Sequence, residues 1–248
     1  MNFLKLTFLF CFLSCSLHRV QPSQVENSQN RYYYKDKSGE FIVDRSVKVL
    51  NSKIIVKNEV FAPNELNRPV EKTITVSKLG TVKSNSGKVP GLRPEISQHT
   101  IWFEGQKYFS QLKINLKDKS FNVSMESPDD KWNGQTKLKF PKGQIFCFFS
   151  QIPECAKRYG LLNERQRPIQ IQVIWDNFPY HNEIYDNLST DGFEKSVWAF
   201  DGHEDRLARF GLLIGQQLVL YEFDSEENFV NMYWVLQGIS MQKSEEQR

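Results

Sequence analysis

The chain has few cysteines and no large excess of either charge. Cys11 and Cys15, two of the four cysteines, fall within the first fifteen residues, and 32 lysines and arginines face 29 aspartates and glutamates. This near-balance does not indicate a nucleic-acid partner. No apolar run beyond residue 20 is long enough to span a bilayer. The chain also lacks a G-x-S-x-G elbow, zinc-ligand spacing and a calcium-loop pattern, so no motif indicates catalysis, a metal or a cofactor.

The N-terminus carries the clearest motif. Lys5 precedes an apolar run over residues 6–13, and small residues follow it. This layout is typical of a secretory signal peptide, and it is too short for a membrane-spanning helix. We therefore expect residues 1–14 to direct export. Loss of Lys5 with that segment leaves 31 basic residues against 29 acidic ones, a net charge of about +2.

Two processing sites fit the end of this segment. Residues 12–15, Phe-Leu-Ser-Cys, resemble the lipobox of bacterial lipoproteins, with Ser14 and Cys15 in its last two positions and Phe12 where leucine is usual. The resemblance implies a lipid on Cys15 and a stable membrane anchor. In such lipoproteins, an aspartate directly after the cysteine implies retention at the inner membrane. This chain has Ser16 at that position, so the resemblance favours the outer membrane. Alternatively, an ordinary signal peptidase cuts after Ser16 and the protein is secreted in soluble form.

The remaining chain divides into three parts by composition. Residues 15–31 are rich in glutamine, serine and asparagine without periodicity, which predicts a disordered tether. Residues 32–241 are expected to form a single β-rich domain, because aromatic residues make up 13% of the chain and favour strands. Residues 242–248 are expected to be a polar tail.

Alternating apolar and polar residues predict most of the strands. Two such runs, residues 112–116 and 121–125, flank a short polar turn and predict a hairpin. Asn51-Ser52 predicts a second hairpin turn, and residues 73–77 predict a half-buried strand. Residues 84–94 contain two glycines and two prolines, which predicts a loop that separates two halves of the domain.

Cys147 and Cys155 are the cysteines that remain after export. An even pair at this spacing in an exported protein predicts a disulfide, and the alternative is two buried free thiols. Residues 154–159 contain helix formers, and Gly160 is a suitable C-terminal cap. We therefore expect one or two short helices here, held by the disulfide.

The predicted fold class is mainly β: an antiparallel curled sheet or half-open barrel with one or two short helices. This expectation follows from two observations. The sequence predicts roughly a dozen short strands, and it does not alternate strands with helices as βαβ units do. The lipobox-like start, the polar tether and the strand meander together resemble the envelope lipoproteins with half-open barrels, the lipoprotein carrier and receptor family. That resemblance implies a sheet around an apolar cavity that holds an acyl chain, and it assigns no functional residue.

A candidate binding surface follows from aromatic residues in a polar stretch. The composition of residues 177–192 predicts a loop, and side chains in loops are less often buried than side chains in strands. The candidate residues are Trp175, Phe178, Tyr180, His181 and Tyr185. They could stack on a ligand, although core packing is the ordinary role of such side chains.

Three functions remain open from the sequence. The first is binding of an apolar, lipid or glycolipid ligand or of an envelope partner protein, with the membrane contacted through the N-terminal lipid. The second is a structural or assembly accessory of the envelope without a ligand. The third is a hydrolase that pairs His181 or His203 with a nearby carboxylate.

Overall fold

The computed structural model describes residues 28–84, 87–115, 118–140 and 145–244. Within these ranges the chain forms fifteen strands and two short helices. The strands are β1 (Ser28–Lys35), β2 (Ile42–Leu50), β3 (Lys53–Phe61), β4 (Glu71–Ser84), β5 (Gly87–Phe103), β6 (Gln106–Asn115), β7 (Ser120–Glu126), β8 (Gly134–Lys139), β9 (Phe146–Phe148), β10 (Ile169–Ile174), β11 (Phe193–Glu204), β12 (Leu207–Ile214), β13 (Gln217–Phe223), β14 (Phe229–Trp234) and β15 (Ile239–Ser244). The helices are α1 (Ile152–Arg158) and α2 (His181–Ile184).

All fifteen strands belong to one sheet. Its order is β8-β7-β6-β5-β4-β3-β2-β1-β15-β14-β13-β12-β11-β10-β9. Neighbouring strands are antiparallel except β9 and β10, which are parallel. The first and last strands, β1 and β15, pair at the centre and join an N-terminal half, β1–β8, to a C-terminal half, β9–β15. The edge strands β8 and β9 do not pair with each other, so the sheet stays open.

The sheet curls until its two halves face each other. The rings of Phe121 in β7 and Phe193 in β11 have centroids 5.9 Å apart. The Tyr180 hydroxyl, beyond β10, donates a hydrogen bond to the carbonyl of Phe109 in β6 at 3.0 Å. Residues 149–163, here called the plug, contain α1 and a 3₁₀ turn on either side of it, and they contact β3, β4 and β5. The predicted class, a mainly β antiparallel curled sheet with two short helices, is confirmed.

Local signals explain several of these elements. Asn51 and Ser52 have φ of 49° and 58° and connect β2 to β3, as a two-residue hairpin turn requires. Gly160 has φ of 69° immediately after α1, where the left-handed conformation ends a helix. The predicted Cys147–Cys155 disulfide is confirmed; it links β9 to α1, with Cα atoms 6.1 Å apart.

The predicted loop over residues 84–94 is largely strand. Residues 87–94 belong to β5 and pair with β4, with Pro90 opposite Thr81 and Pro94 opposite Ser77. Strand β6 pairs with β5 only from Ile96 onward. Proline is tolerated in this part of β5 because one side of the strand has no partner there that needs its missing N–H. The boundary between the two halves lies instead at β1 and β15.

Two expected boundaries also differ from the structure. Strand β1 begins at Ser28, inside the tether expected over residues 15–31, and β15 includes Gln242–Ser244 of the expected tail. These ends are held by backbone pairing, such as Ser28 with Val49 and Tyr33 with Ser244, which polar composition does not reveal. The expected signal peptide, Cys15 and the expected tether up to residue 27 lie outside the described residues. Within the described ranges, no helix is long and apolar enough to cross a bilayer.

Candidate functional site

The inner face of β4 and β5 is polar. Its buried side chains are Thr73, Thr75 and Ser77 from β4 and Ser97 and His99 from β5, none more than 5% exposed. The intervening Ile74 and Val76 are half-buried on the opposite face. The alternation over residues 73–77 therefore predicts the strand correctly. The face that carries the threonine and serine hydroxyls, however, is the one that points into the interior. Buried polar groups need hydrogen-bond partners, so this face requires a polar counterpart.

The plug supplies that counterpart. Gln151 Nε2 donates to the carbonyl of Thr75 at 3.2 Å, and its Oε1 accepts from the Ser77 hydroxyl. The hydroxyl oxygens of Thr75 and Ser150 lie 3.2 Å apart. The Ser97 hydroxyl donates to the carbonyl of Asp176 at 2.6 Å. Satisfied bonds of this kind fix the plug against the N-terminal half.

Arg45 is a buried charge that donates four hydrogen bonds. Its side chain, in β2, is 4% exposed and donates to both carboxylate oxygens of Glu154 in α1, at 2.8 and 2.6 Å. It also donates to Asn58 Oδ1 and to the carbonyl of Ser150, both at 2.9 Å. Charge-assisted bidentate pairs are the strong ones, and this pair neutralises Arg45 inside the sheet.

A cavity of about 260 Å³, here called the inner cavity, lies beside this pair. Its polar lining comprises Arg45, Asn58, Glu71, Thr73, Ser150, Asp176 and Asn177. Its apolar and aromatic lining includes Val43, Val60, Phe149, Tyr185, Tyr221, Phe229, Met232 and Trp234. Apolar walls with a few convergent polar groups are characteristic of ligand pockets.

Two carboxyl groups line the inner cavity. Burial, and to a smaller extent the charge of Asp176, raises the pKa of Glu71 to about 7. Burial also raises the pKa of Asp176, against the hydrogen bonds from Ser150, whose N–H donates to Asp176 Oδ2 at 2.8 Å. Perturbed acids in a cavity are typical of functional sites.

His99 lies next to this pair but stays neutral. Its Nδ1 is 3.1 Å from Thr73 Oγ1 and 3.7 Å from Glu71 Oε1. Burial lowers the pKa of His99 to about 3, so the imidazole carries no charge at pH 7 and forms no ion pair with Glu71. Glu71 is therefore the group here that titrates near neutral pH.

Aromatic rings in mutual contact form one wall. Trp234 lies 4.6 Å from Tyr185, 5.1 Å from Phe149 and 6.1 Å from Trp175, measured between ring centroids. Two buried polar atoms of the lining, Tyr221 Oη and Asn177 Oδ1, have no hydrogen-bond partner in the described part of the chain. Such atoms are costly to leave unpaired, which makes them candidate contacts for a ligand.

A second cavity, of about 530 Å³, lies on the other side of the Arg45–Glu154 pair. Arg45, Pro153 and Phe229 line both cavities. The second cavity is otherwise lined by apolar and tyrosine side chains, among them Tyr34, Val47, Ile54 and Leu79, and by polar and charged ones. The polar and charged residues are Asn30, Glu154, Lys157, Arg158, Glu227 and Asn228. The two cavities together have the volume of an ordinary small-molecule site.

The predicted binding residues are mostly core. Trp175 and His181 are fully buried and stacked, with centroids 5.4 Å apart, and Tyr180 and Phe178 are 3% and 8% exposed. Tyr185 is half-buried and lines the inner cavity. The first part of the expected loop, residues 177–181, is buried, because Trp175 packs against Trp234 inside the sheet and draws the residues that follow it inward, whereas Glu183, Asp186 and Asn187 are exposed.

The proposed histidine–carboxylate pairs are not assembled. His181 Nε2 lies 2.8 Å from the carbonyl of Ser189, and His203 Nε2 lies 3.3 Å from Arg165 on the surface. Among the described residues, neither histidine contacts a carboxylate, and no three histidine, cysteine or acidic side chains are grouped to hold a metal. The histidine that does lie near a carboxylate, His99, had no distinguishing sequence signal.

The fold therefore defines a class: an open, curled antiparallel sheet with an internal plug and two interior cavities. Comparison with known proteins found no matching family model, no matching curated protein and no matching solved structure.

Proposed function

We propose that this protein is an exported envelope protein, anchored through a lipid on Cys15, that binds a lipid-like or glycolipid ligand inside its curled sheet. One observation supports this most strongly: the two adjoining cavities, about 260 and 530 Å³, each combine largely apolar walls with a smaller set of polar groups. Unfilled apolar volume lowers stability, so its retention favours an occupant. The polar lining of the inner cavity suits a head group, and the apolar side chains of the second cavity, among them Val47, Ile54 and Leu79, suit a chain.

A cavity-filling series tests this proposal. The probe is N-phenyl-1-naphthylamine, a neutral fluorophore whose emission rises in apolar surroundings. Val60→Phe narrows the inner cavity and Val47→Phe narrows the second one, since each residue lines that cavity. Ile55→Phe makes a matched change in β3 at a half-buried residue that lines neither cavity.

We expect wild type and Ile55→Phe to bind the probe alike, and at least one of the other two variants to bind it several-fold more weakly. Melting curves of all four proteins control for folding. Equal binding by all four proteins, or no binding by wild type, would contradict the proposal.

The anchor has its own test. Cys15→Ser removes the acceptor for the lipid. In cells that export the protein, we expect wild type in the membrane fraction and the variant in the soluble fraction, with label from an acyl donor on wild type alone. Identical fractionation of the two without label would support the alternative, cleavage after Ser16 and soluble secretion.

The accessory function has one observation in its favour. Val235 and Leu236, neighbours in a short 3₁₀ turn before β15, are 58% and 64% exposed. Adjacent exposed apolar side chains are a common feature of protein contacts. Failure of the probe to enter either cavity would make a partner-binding role through this turn the better proposal.

A further inference from the structure

The inner cavity has an excess of negative charge and hydrogen-bond acceptors. Its one cation, Arg45, is already bonded to both oxygens of Glu154 and to two further acceptors. The remaining charged groups of the lining, Glu71 and Asp176, are acids. A carboxylate ligand would meet these acids and would have to displace Glu154 to reach Arg45, which the buried pair opposes.

The unpartnered atoms point to a donor on the ligand. Asn177 is 4% exposed and lines the cavity, yet its Oδ1 accepts no hydrogen bond from any residue that the structure describes. The hydroxyl oxygen of Tyr221, 2% exposed, is also without a partner in these ranges. An amide oxygen is only an acceptor, so the group that satisfies it must be a donor.

The aromatic lining favours a positive charge on that donor. Tyr185, Tyr221 and Trp234 surround the same space as the two acids. The faces of such rings attract cations, by about 2 kcal/mol or more where the cation is desolvated. A protonated amine combines this attraction with several N–H donors, which neither an alcohol nor a carboxylate provides.

Resting on the proposed function, we propose that the inner cavity recognises the protonated amine of an apolar amine ligand, held between Glu71 and Asp176 with an N–H donated to Asn177 Oδ1. The apolar part of the ligand packs against the aromatic wall and extends toward the second cavity. The ligand class is therefore an amine-bearing amphiphile, in preference to a fatty acid or a neutral lipid.

The pH dependence of binding follows from every titratable group at the cavity. These groups are Arg45 of β2, Glu71 of β4, His99 of β5, Glu154 of α1, Asp176, Tyr185 and Tyr221. His99 stays neutral and the tyrosines stay protonated near pH 7, because burial disfavours their charged forms. Glu71 loses its proton near pH 7, so amine binding strengthens as the pH rises from 6 to 8.

Three probes of matched shape test the inference: 4-phenylbutylamine, 4-phenylbutanol and 4-phenylbutyrate. Each is titrated into the full chain by calorimetry at pH 6, 7 and 8. We expect the amine to bind wild type about tenfold more tightly than the alcohol at pH 8, as a charge-assisted hydrogen bond allows, and the butyrate to bind most weakly. The preference for the amine should shrink at pH 6.

Glu71→Gln keeps the shape of the side chain and removes its charge. We expect it to lose most of the amine preference over the alcohol and the pH dependence of that preference. The matched control is Glu59→Gln, which removes the same charge from β3 at a residue that pairs with Lys57 and Lys72 and does not line the inner cavity. It should bind all three probes as wild type does.

The outcomes separate the two proposals. Equal binding of amine and alcohol, or tightest binding of the butyrate, would overturn the amine inference and leave the ligand-binding function standing. Binding of none of the three probes would overturn both. If Glu71→Gln does not fold, the order of the three affinities for wild type decides the inference by itself.

Discussion

Two parts of the inner face of the sheet have opposite chemistry. In β12, in the C-terminal half, the inward residues are Phe210, Leu212 and Ile214, all 0% exposed. In β4, in the N-terminal half, the inward residues are the buried hydroxyl side chains Thr73, Thr75 and Ser77. The β12 face is stabilised by apolar packing, whereas the β4 face depends on hydrogen bonds from the plug. The inner cavity, with its unpaired polar atoms, adjoins the polar β4 face.

The largest expected effect is at the buried ion pair. Arg45→Met leaves Glu154 without its partner in the interior, which costs about 3–5 kcal/mol of unfolding free energy. The exposed pair of Lys53 with Glu95 provides the contrast, and Lys53→Met should cost less than about 1 kcal/mol. Urea denaturation measures both. If Arg45→Met lowers the unfolding free energy no more than Lys53→Met does, the attachment of the plug to the sheet does not depend on this ion pair.

On the apolar face of β12, Leu212→Ala creates a cavity in close packing. We expect a loss of about 2–4 kcal/mol of unfolding free energy, with no effect on the binding of amine or alcohol. Leu213→Ala, one residue along on the outer face and 45% exposed, should change stability by less than about 0.5 kcal/mol. Loss of amine or alcohol binding in folded Leu212→Ala would contradict the separation of this packing position from the binding site.

The disulfide links β9, the edge strand of the C-terminal half, to the plug. In the chain-entropy account, closing a loop of this length stabilises the fold by about 2–3 kcal/mol. Reductant should lower the melting temperature of wild type and leave Cys147→Ala unchanged, since that variant has no bond to reduce. Equal sensitivity of the two proteins to reductant would contradict a structural role for the disulfide.

A pH trend in stability is expected at the polar β4 face. Folding raises the pKa of Glu71 from 4.5 to about 7, so the folded state holds a proton that the unfolded chain has lost, and Glu71 makes the protein less stable as pH rises through this window. His99 acts oppositely: its pKa falls from 6.5 to about 3 on folding, so its contribution to stability rises with pH between these values.

Glu71→Gln removes only the first of these trends. The unfolding free energy of the variant, relative to wild type, should therefore increase as pH rises from 4.5 to 7. A constant difference between Glu71→Gln and wild type across this window would show that Glu71 titrates normally.

The sequence predicts the strands better than it predicts the site. Alternation over residues 112–116 and 121–125 and the Asn51-Ser52 turn were sufficient for β6, β7 and the β2–β3 hairpin, because these signals are local. The disulfide was predictable from spacing and export. Alternation by itself does not say which face of β4 is buried. The buried Thr75 hydroxyl has its hydrogen-bond partner in Ser150, which lies 75 residues away in the sequence.

The site residues were hidden for the same reason. In the sequence, Arg45 resembles an ordinary surface charge. Its partner Glu154 lies 109 residues later, and only the fold brings the two side chains together. Glu71 begins a strand and carries no motif. The aromatic residues that did attract attention, Trp175 and Tyr180, turned out to be core, and Tyr185 alone of the five candidates lines the inner cavity.

Native mass spectrometry of the protein, purified gently from cells that make it, tests the central claim most directly. We predict a native mass above the mass of the same protein after denaturation, with the excess lost on organic extraction and an extracted molecule that is apolar and carries an amine. Equal native and denatured masses would contradict occupancy of the cavities. An extracted molecule without an amine would keep the binding function and reject the amine inference.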